Sequence, residues 1–156
     1  GGGILTTTSS DGTLVAVHVP TFTDSGSTAR HSVRLYDTAV THQLRATLVA
    51  TAEAADGSVV ELVLEDVASA SGGSTGAAPS FLAARLSSSS SSSGGYSATG
   101  SNNRPDKILV WDLTRGVVGC TLLSPPSTTY RGLALHNGTM YALCVHGETG
   151  KVWVME

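Results

Sequence analysis

Three six-residue strings constrain this chain more than anything else in it: Ser32-Val33-Arg34-Leu35-Tyr36-Asp37, Lys107-Ile108-Leu109-Val110-Trp111-Asp112 and Lys151-Val152-Trp153-Val154-Met155-Glu156. Each is a polar residue, an aliphatic or β-branched run, a bulky residue and a carboxylate, so one strand pattern recurs in related surroundings. Self-similarity at a fixed period points to a series of like supersecondary units rather than one unrepeated core. The second and third strings lie 44 residues apart, from Asp112 to Glu156, and the first and second 75 apart, from Asp37 to Asp112. Residues 71–102, between the first two, are almost wholly Ser, Gly, Ala, Thr and Asn apart from Phe81-Leu82-Ala83-Ala84-Arg85-Leu86. Discounting about 30 residues there as an insertion brings both spacings to the roughly 40–45 residues of a four-stranded repeat unit.

The pattern within each unit is that of an all-β chain. Short alternating or β-branched runs bounded by turn residues recur throughout, and helical periodicity is nearly absent. Strands are expected at Ile4–Thr8, at Thr13–Pro20 with the proline ending the run, at Ser32–Asp37 and at Gln43–Ala50. In the second unit they are expected at Val59–Leu64, Phe81–Leu86, Lys107–Asp112 and Val117–Leu123, and in the third at Tyr130–Leu135, Thr139–Val145 and Lys151–Glu156. Val59–Leu64 alternates too loosely to fix its faces. His136-Asn137-Gly138 is a hairpin turn of the kind that needs positive φ at both central residues. The insert at 71–102, with its seven-serine run Ser87–Ser93, cannot bury enough apolar area to offset its ordering entropy and reads as a disordered Ser/Gly-rich loop.

Composition removes several functional classes. Only 13% of residues are charged and the formal charge is -3, so no global field draws the chain to nucleic acid; the nine Lys and Arg are scattered, and RNA is expected only indirectly or through a local patch. Cys120 and Cys144 are unspaced for a metal and lie in apolar strand-like runs, which reads as two buried reduced thiols. No run approaches the 18 or so apolar residues of a membrane helix and no leader pattern stands at the start, so a soluble, intracellular protein without membrane contact is expected. Gly1-Gly2-Gly3, with no initiator Met, reads as the start of a fragment.

On these residues the chain resembles the WD-repeat β-propellers. Lys107 to Val118 looks like the third strand, tight turn and fourth strand of a blade, and Trp111-Asp112 is the dipeptide that gives the family its name. Tyr36-Asp37 and Met155-Glu156 replace it in the other units. The resemblance implies a partial propeller of about two and three-quarter blades, at about residues 4–50, 56–123 and 128–156. The family's Gly-His dipeptide is absent, so its usual His-to-Asp network is not assigned. Since propellers close with typically four to eight blades, fewer than three imply a piece of a longer protein or completion by other chains. The interrupted second blade and the Met140-Tyr141-Ala142-Leu143-Cys144 strand resemble the WD-repeat, small-nucleolar-RNA-associated proteins of the small-subunit processome, which implies a nucleolar scaffold in ribosome biogenesis.

Candidate chemistry is sparse. The five histidines, His18, His31, His42, His136 and His146, show no i, i+4 or His-Glu-x-x-His spacing, no Gly-x-Ser-x-Gly elbow is present, and Gly72-Gly73-Ser74-Thr75-Gly76 lacks the lysine and helix of a phosphate loop. No catalytic residue, cofactor or metal is expected. Trp111 stands at a family position packed between blades. Trp153 is taken as one residue out of phase with Trp111 when the carboxylates are aligned, which puts it on the opposite face, either packed in the other interblade space or exposed as a partner contact. The function expected is a non-enzymatic scaffold for protein–protein interaction in a multi-subunit assembly. The alternative is the propeller portion of a larger enzyme or substrate-receptor subunit, in ubiquitin ligation, trafficking or signalling, whose activity lies outside this chain.

Overall fold

In the computed structural model the described residues are 5–22, 29–38, 43–49, 58–67, 78–87 and 105–156. They form eleven strands and no helix: β1 (Thr6–Thr8), β2 (Leu14–Phe22), β3 (Ala29–Asp37), β4 (Gln43–Val49), β5 (Ser58–Leu64), β6 (Phe81–Ser87), β7 (Lys107–Asp112), β8 (Val117–Leu123), β9 (Thr128–His136), β10 (Thr139–His146) and β11 (Val152–Met155). These make three antiparallel sheets in which every strand pairs with its sequence neighbour: β1-β2-β3-β4, β5-β6-β7-β8 and β9-β10-β11. The all-β expectation stands, and the two four-stranded units and the shorter third one fall into separate sheets.

Local chemistry explains the hairpins. Asn137 (φ 46°) and Gly138 (φ 77°) both occupy the left-handed region between β9 and β10, which Asn-Gly tolerates and most residues do not. Asp112 turns the chain after β7: its Oδ1 accepts the amides of Thr114 (2.9 Å) and Arg115 (3.2 Å), and its carbonyl accepts Gly116 N at 2.8 Å. The Ser-Asp-Gly turn after β1 is closed by Asp11, whose Oδ1 accepts Ser9 Oγ (2.6 Å), Thr13 N (3.0 Å) and Thr13 Oγ1 (2.8 Å). Those hydrogen bonds, Ser9 first, hold the Asp11 carboxyl below its ordinary value.

Two expectations need correction. Pro20 does not end β2, which runs on to Phe22 with Pro20 opposite His31. The strand stays paired with β3 through Pro20 to Phe22, opposite Ala29, so the missing N–H does not stop it. Cys120 is exposed rather than buried, because β8 is the outermost strand of its sheet; Cys144, on the central β10, is buried as expected, and both thiols are free. The insert expected at 71–102 lies outside the described residues except for 78–87, where Phe81–Ser87 is β6.

Packing occurs between sheets rather than within one. Leu14, Ala16, Val33, Leu35 and Leu48 of the first sheet form one cluster with Leu62, Leu64, Leu82, Ala84, Leu86, Leu109 and Trp111 of the second. Ala83, Ile108 and Val110 of the second form another with Tyr130, Leu135, Ala142 and Cys144 of the third. The second sheet is therefore covered on both faces, which is why Val59–Leu64 shows no simple alternation: Leu62 and Leu64 serve one cluster and Val63 the other. The sheets come together along their early strands, β1 and β2 beside β5, and β5 and β6 beside β9. Asp66, just past β5, forms a parallel bridge with His136 at the end of β9, in which Asp66 N donates to Leu135 O (2.8 Å) and Asn137 N to Asp66 O (3.0 Å).

Candidate functional site

Carboxylates of the second sheet fasten the third. Glu61, on β5, accepts Leu133 N at 3.3 Å through Oε1 and pairs through Oε2 with Arg85 Nε at 2.9 Å. Arg85, its cross-strand neighbour on β6, also donates to Tyr130 O at 2.8 Å. Glu65, buried just past β5, accepts Ser80 N (2.8 Å) and Gly138 N (2.6 Å). Asp106, buried just ahead of β7, accepts Tyr130 N at 3.0 Å. Three amides of the third sheet thus end on three anionic acceptors of the second, the stronger, charge-assisted form of such a bond.

The Asp106 end of this junction opens into a groove of about 580 Å³ lined by Pro105, Asp106, Ser124 to Thr129, Gly147 and Glu148. Its floor is rigid. Asp106 and Ser124 exchange two hydrogen bonds of 2.9 Å, Asp106 N donating to Ser124 Oγ and Ser124 N to Asp106 O. Pro125 and Pro126 restrict the connection to β9, Thr128 N returns to Pro125 O at 3.1 Å, and Ser127, at φ 56°, accepts Gly147 N from the β10–β11 turn at 2.8 Å. Behind the floor the Tyr130 hydroxyl donates to Leu123 O at 3.0 Å. Burial, then the neighbouring Cys144 and Asp106, raises the Tyr130 phenol above its ordinary value and keeps it a donor; burial likewise raises the Cys144 thiol. The arrangement offers a fixed surface of carbonyls, hydroxyls and two exposed prolines rather than a nucleophile beside a base. Among the described residues no group of three or more His, Cys, Asp or Glu is placed to hold a metal.

The residues singled out by the repeat lie elsewhere. Tyr36 and Asp37, Trp111 and Asp112, and Met155 and Glu156 stand at or just past the far ends of β3, β7 and β11, and the six residues from Asp106 to Asp112 put about 20 Å between the groove and Trp111-Asp112. Trp111 is fully buried between the first and second sheets, Tyr36 is half-buried, Met155 is half-buried and Glu156 is exposed. Trp153 is half-buried against the cluster between the second and third sheets. Its predicted face requires correction: with the carboxylates aligned Trp153 matches Leu109, two residues from Trp111, and an even offset keeps a side chain on the same face. Both tryptophans accordingly point toward the preceding sheet. Of the histidines, His18 is buried on β2 and His136 Nδ1 stands 3.6 Å from Asp66 Oδ2; His42 and the side chain of His31 lie outside the described residues.

Sequence reasoning missed Glu61, Glu65, Arg85 and Asp106. A signal existed for one pair, since Glu61 and Arg85 are opposite charges set singly into the apolar runs Val59–Leu64 and Phe81–Leu86. For Glu65 and Asp106, which sit at strand ends beside other polar residues, no local pattern separates a buried acceptor from a solvated one. No protein-family model, curated protein or solved structure matches the chain.

Proposed function

We propose that this chain is a set of β-propeller blades of the WD-repeat kind acting as a non-enzymatic platform for other proteins in a multi-subunit assembly. The observation that carries the reading is the meeting of three neighbour-paired sheets along their early strands, β1 and β2 beside β5 and β5 and β6 beside β9, with a parallel bridge from Asp66, just past β5, to His136 at the end of β9. Sheets arranged radially about an axis approach one another along their innermost strands, run those strands in one direction and splay outward, leaving turns gathered at the two ends. The equivalence of the three strings supports the same reading at residue level. Val33 and Leu35, and Ile108 and Val110, occupy matching positions and face the following sheet, while Leu109 and Trp111, and Trp153 and Met155, match and face the preceding one.

A platform binds through loops held by a rigid scaffold, and the groove at Pro105, Pro125, Pro126 and Glu148 is the place where turns converge on an anchored floor. Its partner is proposed to be a protein segment. For the assembly, the resemblance of the interrupted second unit to nucleolar scaffolds supplies the candidate, ribosome small-subunit biogenesis. Affinity purification of the tagged protein from its own cells, with mass spectrometry and RNA sequencing of what is retained, tests both levels. Retained processome proteins with pre-ribosomal RNA support the full proposal. Retained ubiquitin-ligase, trafficking or signalling subunits keep the platform and discard the nucleolar assignment, and recovery of the chain with no stoichiometric partner refutes the platform.

A further inference from the structure

A chemically labile dipeptide sits on the junction between the second and third sheets. Of the three asparagines, Asn102, Asn103 and Asn137, only Asn137 precedes a glycine. With no Cβ on the following residue, the backbone nitrogen meets the least hindrance in reaching the asparagine side-chain carbonyl carbon, and in an unrestrained chain such a pair cyclises spontaneously. The lone pair of Gly138 N forms a bond to Asn137 Cγ, the Cγ–Nδ2 bond breaks, and ammonia leaves with the proton given up by Gly138 N. Water then opens the five-membered imide at one carbonyl or the other, leaving at position 137 either aspartate or its β-linked isomer, whose backbone runs through the side chain. Water is the only co-reactant, and both residues of the turn are exposed to it.

In the folded chain that nitrogen is held elsewhere. Gly138 N donates at 2.6 Å to Glu65 Oε2, a charge-assisted bond to a carboxylate that is 4% exposed and belongs to the second sheet. On the other side of the same peptide Asn137 N donates to Asp66 O at 3.0 Å, and the hairpin is closed beyond it by the pairing of His136 with Thr139. Cyclisation must turn Gly138 N toward the Asn137 side chain, which it does only by leaving Glu65. We propose that Asn137 is a site of spontaneous covalent modification gated by this junction, shut while Glu65 holds Gly138 N and open whenever the third sheet lifts from the second. The product acts back on the gate. A carboxylate at position 137 adds negative charge beside Glu65 and Asp66, and the β-linked isomer lengthens the backbone of a two-residue turn whose fit depends on positive φ at both residues. Each opening therefore exposes the junction to a change that weakens its reclosure. All the groups involved lie between Glu65 and Thr139.

Peptide mapping by mass spectrometry of the full chain, aged in neutral buffer with and without unfolding guanidinium, tests it. The unfolded chain is expected to lose the Asn137 amide about tenfold or more faster than the native protein, since at least one hydrogen bond to a charged group must break before the native chain can react. Glu65→Gln offers one acceptor oxygen where Ser80 N and Gly138 N each need one, and this variant, shown by circular dichroism to be folded, is expected to react at a rate between the two. Modified chain, separated from unmodified by its charge, is expected to unfold at a lower denaturant midpoint. Equal rates in native and unfolded protein, or a folded Glu65→Gln chain no faster than native, overturn the gate. An unfolded chain that keeps its Asn137 amide overturns the site, and an unchanged midpoint overturns the effect on the junction. Should Glu65→Gln not fold, hydrogen exchange at the Gly138 amide of the native protein decides: slowed exchange supports the gate, and exchange as fast as in an unstructured peptide overturns it.

Discussion

Trp111→Phe is expected to change stability by no more than about 1 kcal/mol, an unusually small effect for the largest fully buried side chain in the protein. The indole is 0% exposed, yet its Nε1–H finds no acceptor among the described residues. An orphaned buried donor carries a desolvation penalty of about 1–3 kcal/mol, and phenylalanine removes it. Against that gain stands a loss of about 40 Å³ of packed volume, worth about 1 kcal/mol at roughly 24 cal/mol per Å³ of residual cavity. The apolar transfer energy of the missing ring atoms adds about 1 kcal/mol more. The terms nearly cancel. Trp111→Ala retains the benefit of losing the donor but forfeits the whole side chain, and costs about 3–5 kcal/mol. Urea unfolding of native protein and both variants, with unchanged m-values so that the midpoints report stability, decides the matter. A Trp111→Phe cost above about 2.5 kcal/mol refutes the orphan-donor reasoning, and a Trp111→Ala cost below about 1 kcal/mol refutes the burial of this residue between two sheets.

The remaining predictions concern the junction, the turns and the thiols. Asp106→Ala leaves Tyr130 N buried without its acceptor and is expected to cost about 1.5–3 kcal/mol in the same unfolding assay. A double-mutant cycle on Glu61→Gln and Arg85→Met, a pair that is partly screened by solvent, should give a coupling of about 1 kcal/mol, and additive effects would show that this pair does not help hold the junction between the second and third sheets. Because the folded-state Asp11 carboxyl lies below its ordinary value, its contribution is complete above about pH 4 and is lost as pH falls through the lower folded-state value; Asp11→Asn should flatten that acid limb of the stability curve and leave neutral pH behaviour otherwise parallel. Gly138→Ala forces an L side chain to φ 77° and should cost about 1–2 kcal/mol. Alkylation of the native chain should label exposed Cys120 and spare buried Cys144 until unfolding.

Much of the fold was legible because its signals are local. Asn137-Gly138 dictated a hairpin through backbone stereochemistry alone, and β7 and β8 begin and end where their apolar runs do. What escaped was decided by neighbours. Pro20 stays within β2 because β3 continues to pair with that strand as far as Phe22, and Cys120 is exposed because β8 is the outermost strand of its sheet among the described residues. The face of Trp153 was recoverable from the register of the strings, whereas the anchoring of Tyr130, Leu133 and Gly138 amides by Asp106, Glu61 and Glu65 joins residues 24, 72 and 73 apart. No periodicity within a strand reports a contact made at that separation. The groove inherits the same difficulty, since Pro105, Ser124 and Gly147 come from three connections that meet only after both sheets are in place.

The central claim, that like sheets pack in succession with corresponding faces in corresponding directions, is tested most directly by the nuclear Overhauser contacts of the two tryptophans in methyl-labelled protein. The account predicts that the Trp111 ring sees methyl groups of Val33, Leu35 and Leu48 on the first sheet, and that the Trp153 ring sees those of Ile108 and Val110 on the second. Contacts of Trp153 with Val152 and Val154 of another molecule's exposed face, or of Trp111 with residues of the third sheet, would contradict it.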